Sequence, residues 1–68
     1  MTIKEATFEI LDRFVGLRQP GTLQEVWSRV VESHPGAAIT SVDRYHRLYR
    51  ARRPTLERFF GNVQENKR

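Results

Sequence analysis

Residues 41–50 carry the pattern that decides the fold, and they read SVDRYHRLYR. The arginines of this segment recur at i, i+3 and i+6, whereas its apolar and aromatic side chains recur at the spacing of the opposite side of an α-helix. The pattern predicts a helix with one apolar side and one cationic side. Such a helix can pack on a small core and still present guanidinium groups to phosphates, base edges or carboxylates. The arginines are Arg44, Arg47 and Arg50, and the apolar side is formed by Val42, Tyr45 and Tyr49.

A helical wheel refines the two sides of this segment. The charged positions form one group, which consists of Asp43, Arg47 and Arg50. The apolar positions lie on the opposite side of the helix and are Tyr45, Leu48 and Tyr49. Arg44 flanks the exposed side, and His46 lies beside the apolar side, where we expect it to be half buried. We therefore expect the aromatic residues to join a core together with Trp27, which is predicted to be its centre.

The positive charge of this region has few anions near it in the sequence. Six arginines lie between Arg44 and Arg58, with Glu57 as the acidic residue among them. Arg52 and Arg53 are explained by their place near a helix C-terminus, where cations are favourable by about 0.3–1 kcal/mol. The arginines further upstream have Asp43 as a sequence neighbour but no anion predicted at helical spacing. An external anion is the more natural partner for them.

Capping residues and helix breakers define the elements before this helix. Helix 1 is predicted from about Ile3 to Leu17, after the capping box that begins at Thr2. Helix 2 begins with a second capping box at Thr22 and ends at about Ser33, before Pro35 and Gly36. The turn between these two helices is Arg18-Gln19-Pro20-Gly21. The apolar residues of helix 1 cover more than half of its circumference, which indicates contact on two sides, one of them with a second copy of the chain.

The remaining boundaries follow in the same way. Helix 3 is predicted to begin after a Thr40 or Ser41 cap and to end at Arg52 or Arg53, where Pro54 stops it. Thr55 then caps a short helix 4 with an apolar stripe, and residues 65–68 form a frayed tail. A minimal wing is the alternative for helix 4, but the segment is short for two strands. The chain is thus one domain over residues 1–64.

Composition limits the chemistry of this domain. The 68 residues include no cysteine and two separated histidines, so we expect no metal site and no cofactor. Carboxylates are scattered, and the histidines lie in no nucleophile pattern, so we expect no catalysis. There is neither a membrane-spanning stretch nor a secretory signal, and a cytoplasmic location is expected.

The net charge of +4 is unevenly distributed along the chain. Through Val42 there are four basic and five acidic residues, whereas from Asp43 onward there are eight basic and three acidic residues. A near-neutral scaffold that carries a basic module is typical of proteins that bind a polyanion. Nucleic acid is the first partner to consider, followed by an acidic protein surface.

The order of these elements resembles the helix-turn-helix superfamily, especially its small tri-helical and winged-helix DNA-binding domains. The resemblance covers about Ile3 to Arg53 and is carried by the Thr22-Leu23-Gln24-Glu25-Val26-Trp27 opening of helix 2, by the Thr40-Ser41-Val42 opening of helix 3, and by the arginines that follow. It implies that helix 3 enters the major groove of duplex DNA. Base edges would then be contacted by Ser41, Asp43, Arg44 and Arg47, and phosphates by Arg50, Arg52 and Arg53.

The connector from Ser33 to Thr40 departs from the strict motif, because it is longer than three or four residues. It is more similar to a winged-helix turn. Taken together, the sequence predicts an all-α, compact three- to four-helix bundle with a helix-turn-helix-like arrangement. We expect it to bind duplex DNA without catalysis, as a transcriptional regulator or DNA-binding accessory factor, and to be nucleoid-associated if it does so. A homodimer is one way to present two basic helices. The alternative is a small interaction module or inhibitor that docks its basic helix on an acidic protein surface.

Overall fold

A computed structural model describes residues 1–53 of the chain, and this part is all helical. Helix α1 spans Ile3–Gly16, α2 spans Leu23–Ser33 and α3 spans Ile39–Arg52. Each helix packs against the other two, so the three enclose one common core. None of the helices in this part of the chain has the length and apolar character needed to cross a membrane. The predicted helix 4, its wing alternative, the domain boundary at residue 64 and the tail at residues 65–68 lie outside the described residues.

Helix α1 begins with the predicted capping box. The Thr2 hydroxyl accepts from the Glu5 backbone N–H at 3.1 Å, and the Glu5 carboxylate accepts from the Thr2 backbone N–H at 2.9 Å. Because the Thr2 backbone N–H donates to the carboxylate, the pKa of Glu5 lies below its usual value. The prediction of this helix start is confirmed.

The end of α1 is a turn in which a non-glycine residue adopts the left-handed conformation. Arg18 has a φ of 58°. Its N–H donates to the Val15 carbonyl, and the Gln19 N–H donates to the Phe14 carbonyl, which is the hydrogen-bond pattern of a Schellman motif. Glycine usually occupies this position, since the left-handed region is unfavourable for a residue that has a Cβ. The turn that the sequence predicts here is therefore present, with Arg18 as its strained residue.

Gly21 brings this turn into direct contact with α1. A Cβ added at Gly21 would lie 3.1 Å from Leu11 Cδ2 and 3.3 Å from Phe14 Cβ, which is tighter than ordinary van der Waals contact. The close approach of the backbone to α1 therefore favours glycine here, since any larger residue would have to displace Leu11 or Phe14. The chain then enters α2, where the Thr22 hydroxyl accepts from the Glu25 N–H at 3.3 Å, the first half of the predicted capping box.

Helix α3 begins earlier than the sequence predicts. Its N-cap residue is Ala38, which makes no side-chain hydrogen bond to the helix, so the prediction of a Thr40 or Ser41 cap is wrong. The reason lies in the connector between α2 and α3. Ala37 is buried, and its carbonyl accepts from the Trp27 indole N–H at 3.0 Å. This contact anchors the chain one residue before Ala38, and the first turn of α3 follows directly.

The core is formed by aliphatic side chains together with one phenylalanine and one tyrosine. Trp27 is partly buried and packs against the edge of this core, so its prediction as the centre is wrong. Its indole reaches across to the connector, and that position leaves part of the ring at the surface. The buried cluster consists of Leu11, Phe14, Val26, Val30, Ala37, Val42 and Tyr49.

Candidate nucleic-acid interface

The inward side of α3 is formed by Val42, His46 and Tyr49, all of which are buried. His46 was expected to be half buried, but its Nε2 lies 2.6 Å from the Gly21 carbonyl oxygen in the core. A carbonyl only accepts hydrogen bonds, so Nε2 carries the proton of this contact. This bond joins α3 to the turn between α1 and α2, over a separation of 25 residues.

Tyr49 fixes the second half of α3 against α1. Its ring meets the Phe8 ring edge to face with a centroid distance of 5.5 Å, and its hydroxyl donates to Asp12 Oδ1 at 2.5 Å. Burial of the phenol, followed by the hydrogen bond and the negative charge of Asp12, raises the pKa of Tyr49 to about 12. Two polar contacts and an aromatic pair therefore hold α3 in one position on the scaffold.

The outward side of α3 carries four exposed residues at helical spacing, and two of them are arginines. Arg44 and Arg47 are exposed between Thr40 and Ala51. Arg44 lies near the middle of this side, since it is on the opposite side of the helix from Val42 and His46. The expectation that Arg44 merely flanks the exposed side is therefore wrong. We call the surface formed by Thr40, Arg44, Arg47 and Ala51 the outer face of α3.

Asp43 forms an ion pair with Arg47, four residues later on the same helix. The Asp43 Oδ2 to Arg47 Nη2 distance is 3.2 Å, and the side chains are 30% and 73% exposed, respectively. The prediction that Arg47 lacks an anion at helical spacing is wrong, because Asp43 lies about one helical turn before Arg47 on the same side of α3. The pair holds the Arg47 guanidinium near the surface of α3 while most of it stays in solvent.

Arg50 does not share the outer face with Arg44 and Arg47. It is partly buried, and its Nη1 lies 3.4 Å from His46 Nδ1. The six-residue spacing places Arg50 about 120° around the helix axis from Arg44, toward the buried side. The prediction that the three arginines lie along one side is thus wrong for Arg50.

The arginines at the end of α3 contact aromatic rings. The Arg53 guanidinium carbon lies 4.1 Å from the centroid of the Tyr49 ring, and Arg53 is partly buried. Arg52 is exposed, with its guanidinium carbon 6.0 Å from the centroid of the Phe8 ring. Of the predicted phosphate contacts, Arg52 is therefore at the surface, whereas Arg50 and Arg53 are drawn toward the core. Ser41, a predicted base contact, is partly buried.

Two apolar residues of α3 lie closer to the surface than the sequence predicts. Tyr45 and Leu48 are partly exposed, although both were expected in the core. They line a shallow groove on α3 together with Arg44 and Arg47. Guanidinium groups beside a tyrosine ring and a leucine form a surface that can contact both charged and apolar groups.

The charges of the described residues are separated between helices. Helix α3 contains four arginines and one aspartate, whereas acidic residues outnumber basic ones on both α1 and α2. Within residues 1–53 there is no group of three or more histidine, cysteine or carboxylate side chains placed to hold a metal ion. The concentration of exposed cations on α3 is therefore the main chemical feature of this part of the chain.

Comparison of the chain with protein-family models, with curated proteins and with solved structures returns no match.

Proposed function

We propose that the outer face of α3 binds duplex DNA, without catalysis, in the manner of a helix-turn-helix regulator or accessory factor. The observation that carries this proposal is the exposure of Arg44 and Arg47 on a helix whose opposite side is locked into the core. A fixed helix presents its guanidinium groups in a constant geometry, which base readout in the major groove requires.

Two further features support an anionic partner. The first turn of α3 has no side-chain cap at Ala38, so the positive end of the helix dipole is available to a phosphate. Arg52 is exposed at the other end of the helix. In this proposal Arg44 and Arg47 contact base edges, Arg52 contacts a phosphate, and Arg50 and Arg53 position the helix through His46 and Tyr49.

The second candidate is an acidic protein surface. It is favoured by the partial exposure of Tyr45 and Leu48 beside Arg44, because protein interfaces combine apolar contacts with arginine. Duplex DNA would use the same arginines but would leave most of this apolar surface without a partner.

Fluorescence anisotropy tests the first candidate against the second. We expect wild type to bind a random-sequence duplex with an affinity that falls steeply with salt. The Arg44→Ala/Arg47→Ala variant should bind weakly, because it loses the two guanidinium groups that this proposal places against the base edges. The matched control is Lys4→Ala/Arg18→Ala, which removes two exposed cations outside α3 and should retain nearly all of the binding.

Three outcomes decide the proposal. Binding that depends on Arg44 and Arg47 but not on Lys4 and Arg18 supports the outer face as the DNA-binding surface. Equal losses in the two double variants would indicate a response to net charge alone and would contradict it. Folded protein that does not bind the duplex at low salt would favour the acidic protein partner.

A further inference from the structure

A groove with an apolar floor runs between α1 and α2, and it includes no residue of α3. Its floor contains Ala6, Ile10 and Phe14, which recur at helical spacing along α1. Met1 and Leu17, which are 72% and 66% exposed, also line the groove. Among the large apolar side chains of residues 1–53, these two are the most exposed to solvent. His34 Nε2 contacts the Met1 carbonyl oxygen at 2.7 Å and so ties Met1 to the end of α2.

The rim of this groove carries charges of both signs. Glu9 and Arg13 belong to the α1 wall, and Arg29 and Glu32 belong to the α2 wall. Within residues 1–53 none of these four side chains has an oppositely charged partner within 4.0 Å. Arg29 lies over the Phe14 ring at 5.0 Å, so it covers part of the floor while its charge remains unmatched.

We propose that a second copy of the chain docks in this groove and forms a two-fold symmetric dimer through α1 and α2. In such an interface the same surface meets itself, and every contact occurs twice. A surface that meets itself must be complementary to itself in charge. The groove meets this requirement, because each wall carries one acidic and one basic side chain. Glu9 of one copy can face Arg13 of the other, and the symmetry axis repeats the pair.

Other occupants fit the groove less well. A purely acidic or purely basic partner would place like charge against two of the four rim residues, which is unfavourable. Nucleic acid would meet Glu9 and Glu32 and would leave the apolar floor uncovered. A second copy supplies both signs in equal number and covers Leu17 with apolar surface.

The proposed dimer leaves the outer face of α3 outside the contact. The groove residues come from Met1, α1, α2 and the turn at Gln19. The inference therefore does not depend on DNA binding, and each of the two proposals can fail alone. If both hold, the dimer presents two basic helices.

Sedimentation equilibrium over about 1 to 200 μM, a range that detects micromolar association, tests the dimer. We expect wild type to change from monomer to dimer with concentration. Leu17→Glu should weaken association by at least about tenfold, because it places a carboxylate at an apolar contact. Its matched control is Ser28→Glu, which adds the same charge at an exposed α2 position outside the groove and should associate like wild type. A wild-type monomer at the highest concentration would overturn the proposal, as would equal effects of the two variants.

A charge exchange tests the symmetry of the contact. Glu9→Arg and Arg13→Glu should each weaken association, and the Glu9→Arg/Arg13→Glu double variant should restore it. Because the two residues are also four apart on α1, circular dichroism of the monomer at low concentration controls for changes in helix content. Single variants that associate like wild type, or a double variant that stays monomeric, would overturn the paired contact. The Arg44→Ala/Arg47→Ala variant should dimerise normally, which separates this result from that of the DNA-binding test.

Discussion

The inward and outer faces of α3 use the same residue type for different purposes. On the outer face, Arg44 and Arg47 extend into solvent. Toward the inward face, Arg50 contacts His46 and Arg53 lies over Tyr49. Positive charge along a helix thus does not by itself mark a binding surface, since Arg50 and Arg53 contact buried side chains and Arg47 is paired with Asp43.

The two faces of α3 should also contribute differently to folding stability and to ligand binding. Side chains on the inward face lose contacts with the core when they are shortened, whereas those on the outer face lose contacts mainly with solvent. Substitutions on the two faces should therefore have distinct effects on unfolding and on ligand affinity.

Tyr49→Ala should give the largest loss of stability. The side chain is 1% exposed, and its removal leaves a cavity beside Phe8 and eliminates the hydrogen bond to Asp12. Deletion of a buried aromatic side chain costs about 3–5 kcal/mol, enough to unfold a domain of this size in many cases. Arg44→Ala, on the outer face of the same helix, should change stability by less than about 0.5 kcal/mol.

Urea denaturation followed by Trp27 fluorescence and by circular dichroism measures both variants. Trp27 is the single tryptophan of the chain, so its signal reports on one place at the edge of the core. Similar unfolding midpoints for the two variants would contradict the assignment of the two faces.

His46→Phe tests the contact between α3 and the α1–α2 turn. Phenylalanine retains much of the ring volume but cannot donate a hydrogen bond to the Gly21 carbonyl. Gly21 is itself buried. A buried acceptor that loses its partner costs about 1–3 kcal/mol. His46→Gln supplies an amide donor and should recover part of this loss in the same denaturation experiment. Equal losses in the two variants would show that packing, and not the hydrogen bond, is the contribution of His46.

The boundaries of the helices were largely predictable from local signals. The caps at Thr2 and Thr22 mark where α1 and α2 begin, and the Pro-Gly pairs lie a few residues beyond their ends. The 3.6-residue period identified Val42 and Tyr49 as inward residues. These features depend on neighbours within a few residues. They can be recognised from sequence without knowledge of the tertiary fold.

The remaining features of the candidate site depend on distant contacts. Nothing local to His46 indicates that Gly21 will lie beside it, and the start of α3 follows from the bond between Trp27 and Ala37. The ion pair of Asp43 and Arg47 is a different case, because its spacing of four residues is a recognisable helical signal. The spacing of Arg44 and Arg50 likewise places them on different sides of a helix once the buried side is known.

Tyr49→Phe should lower stability less than Tyr49→Ala or His46→Phe, and its effect should depend on pH. Loss of the hydrogen bond to Asp12 should cost about 0.5–1.5 kcal/mol near neutral pH. Because the folded state raises the pKa of Tyr49 to about 12, above its usual value of about 10, folding favours the neutral phenol. This contribution is fully present below about pH 10 and is lost as the pH rises toward 12.

Wild type should therefore lose stability between about pH 10 and 12, and Tyr49→Phe should lack this part of the loss. Denaturation at a series of pH values measures the difference between the two chains. The matched control is Tyr45→Phe, which removes the hydroxyl of the half-buried tyrosine on the same helix and should retain the alkaline loss of wild type. An identical pH dependence for Tyr49→Phe and wild type would contradict the role assigned to Tyr49.

Asp43→Asn should have the smallest effect on stability and the most informative effect on binding. The ion pair with Arg47 joins residues four apart on a helix, and pairs of this kind contribute about 0.3–0.5 kcal/mol. Asparagine keeps the size of the side chain but removes a negative charge beside the outer face of α3. If this face binds DNA, the loss of repulsion from phosphates should raise affinity for a random duplex by severalfold.

Fluorescence anisotropy at fixed salt measures this change. The control is Glu25→Gln, which gives the same net charge but alters α2 instead of α3 and should increase affinity less. A lower affinity for Asp43→Asn would contradict the expectation and would mean that the carboxylate orients Arg47 toward its ligand. The two results differ in sign, so this one substitution separates a carboxylate that opposes binding from one that positions the arginine for it.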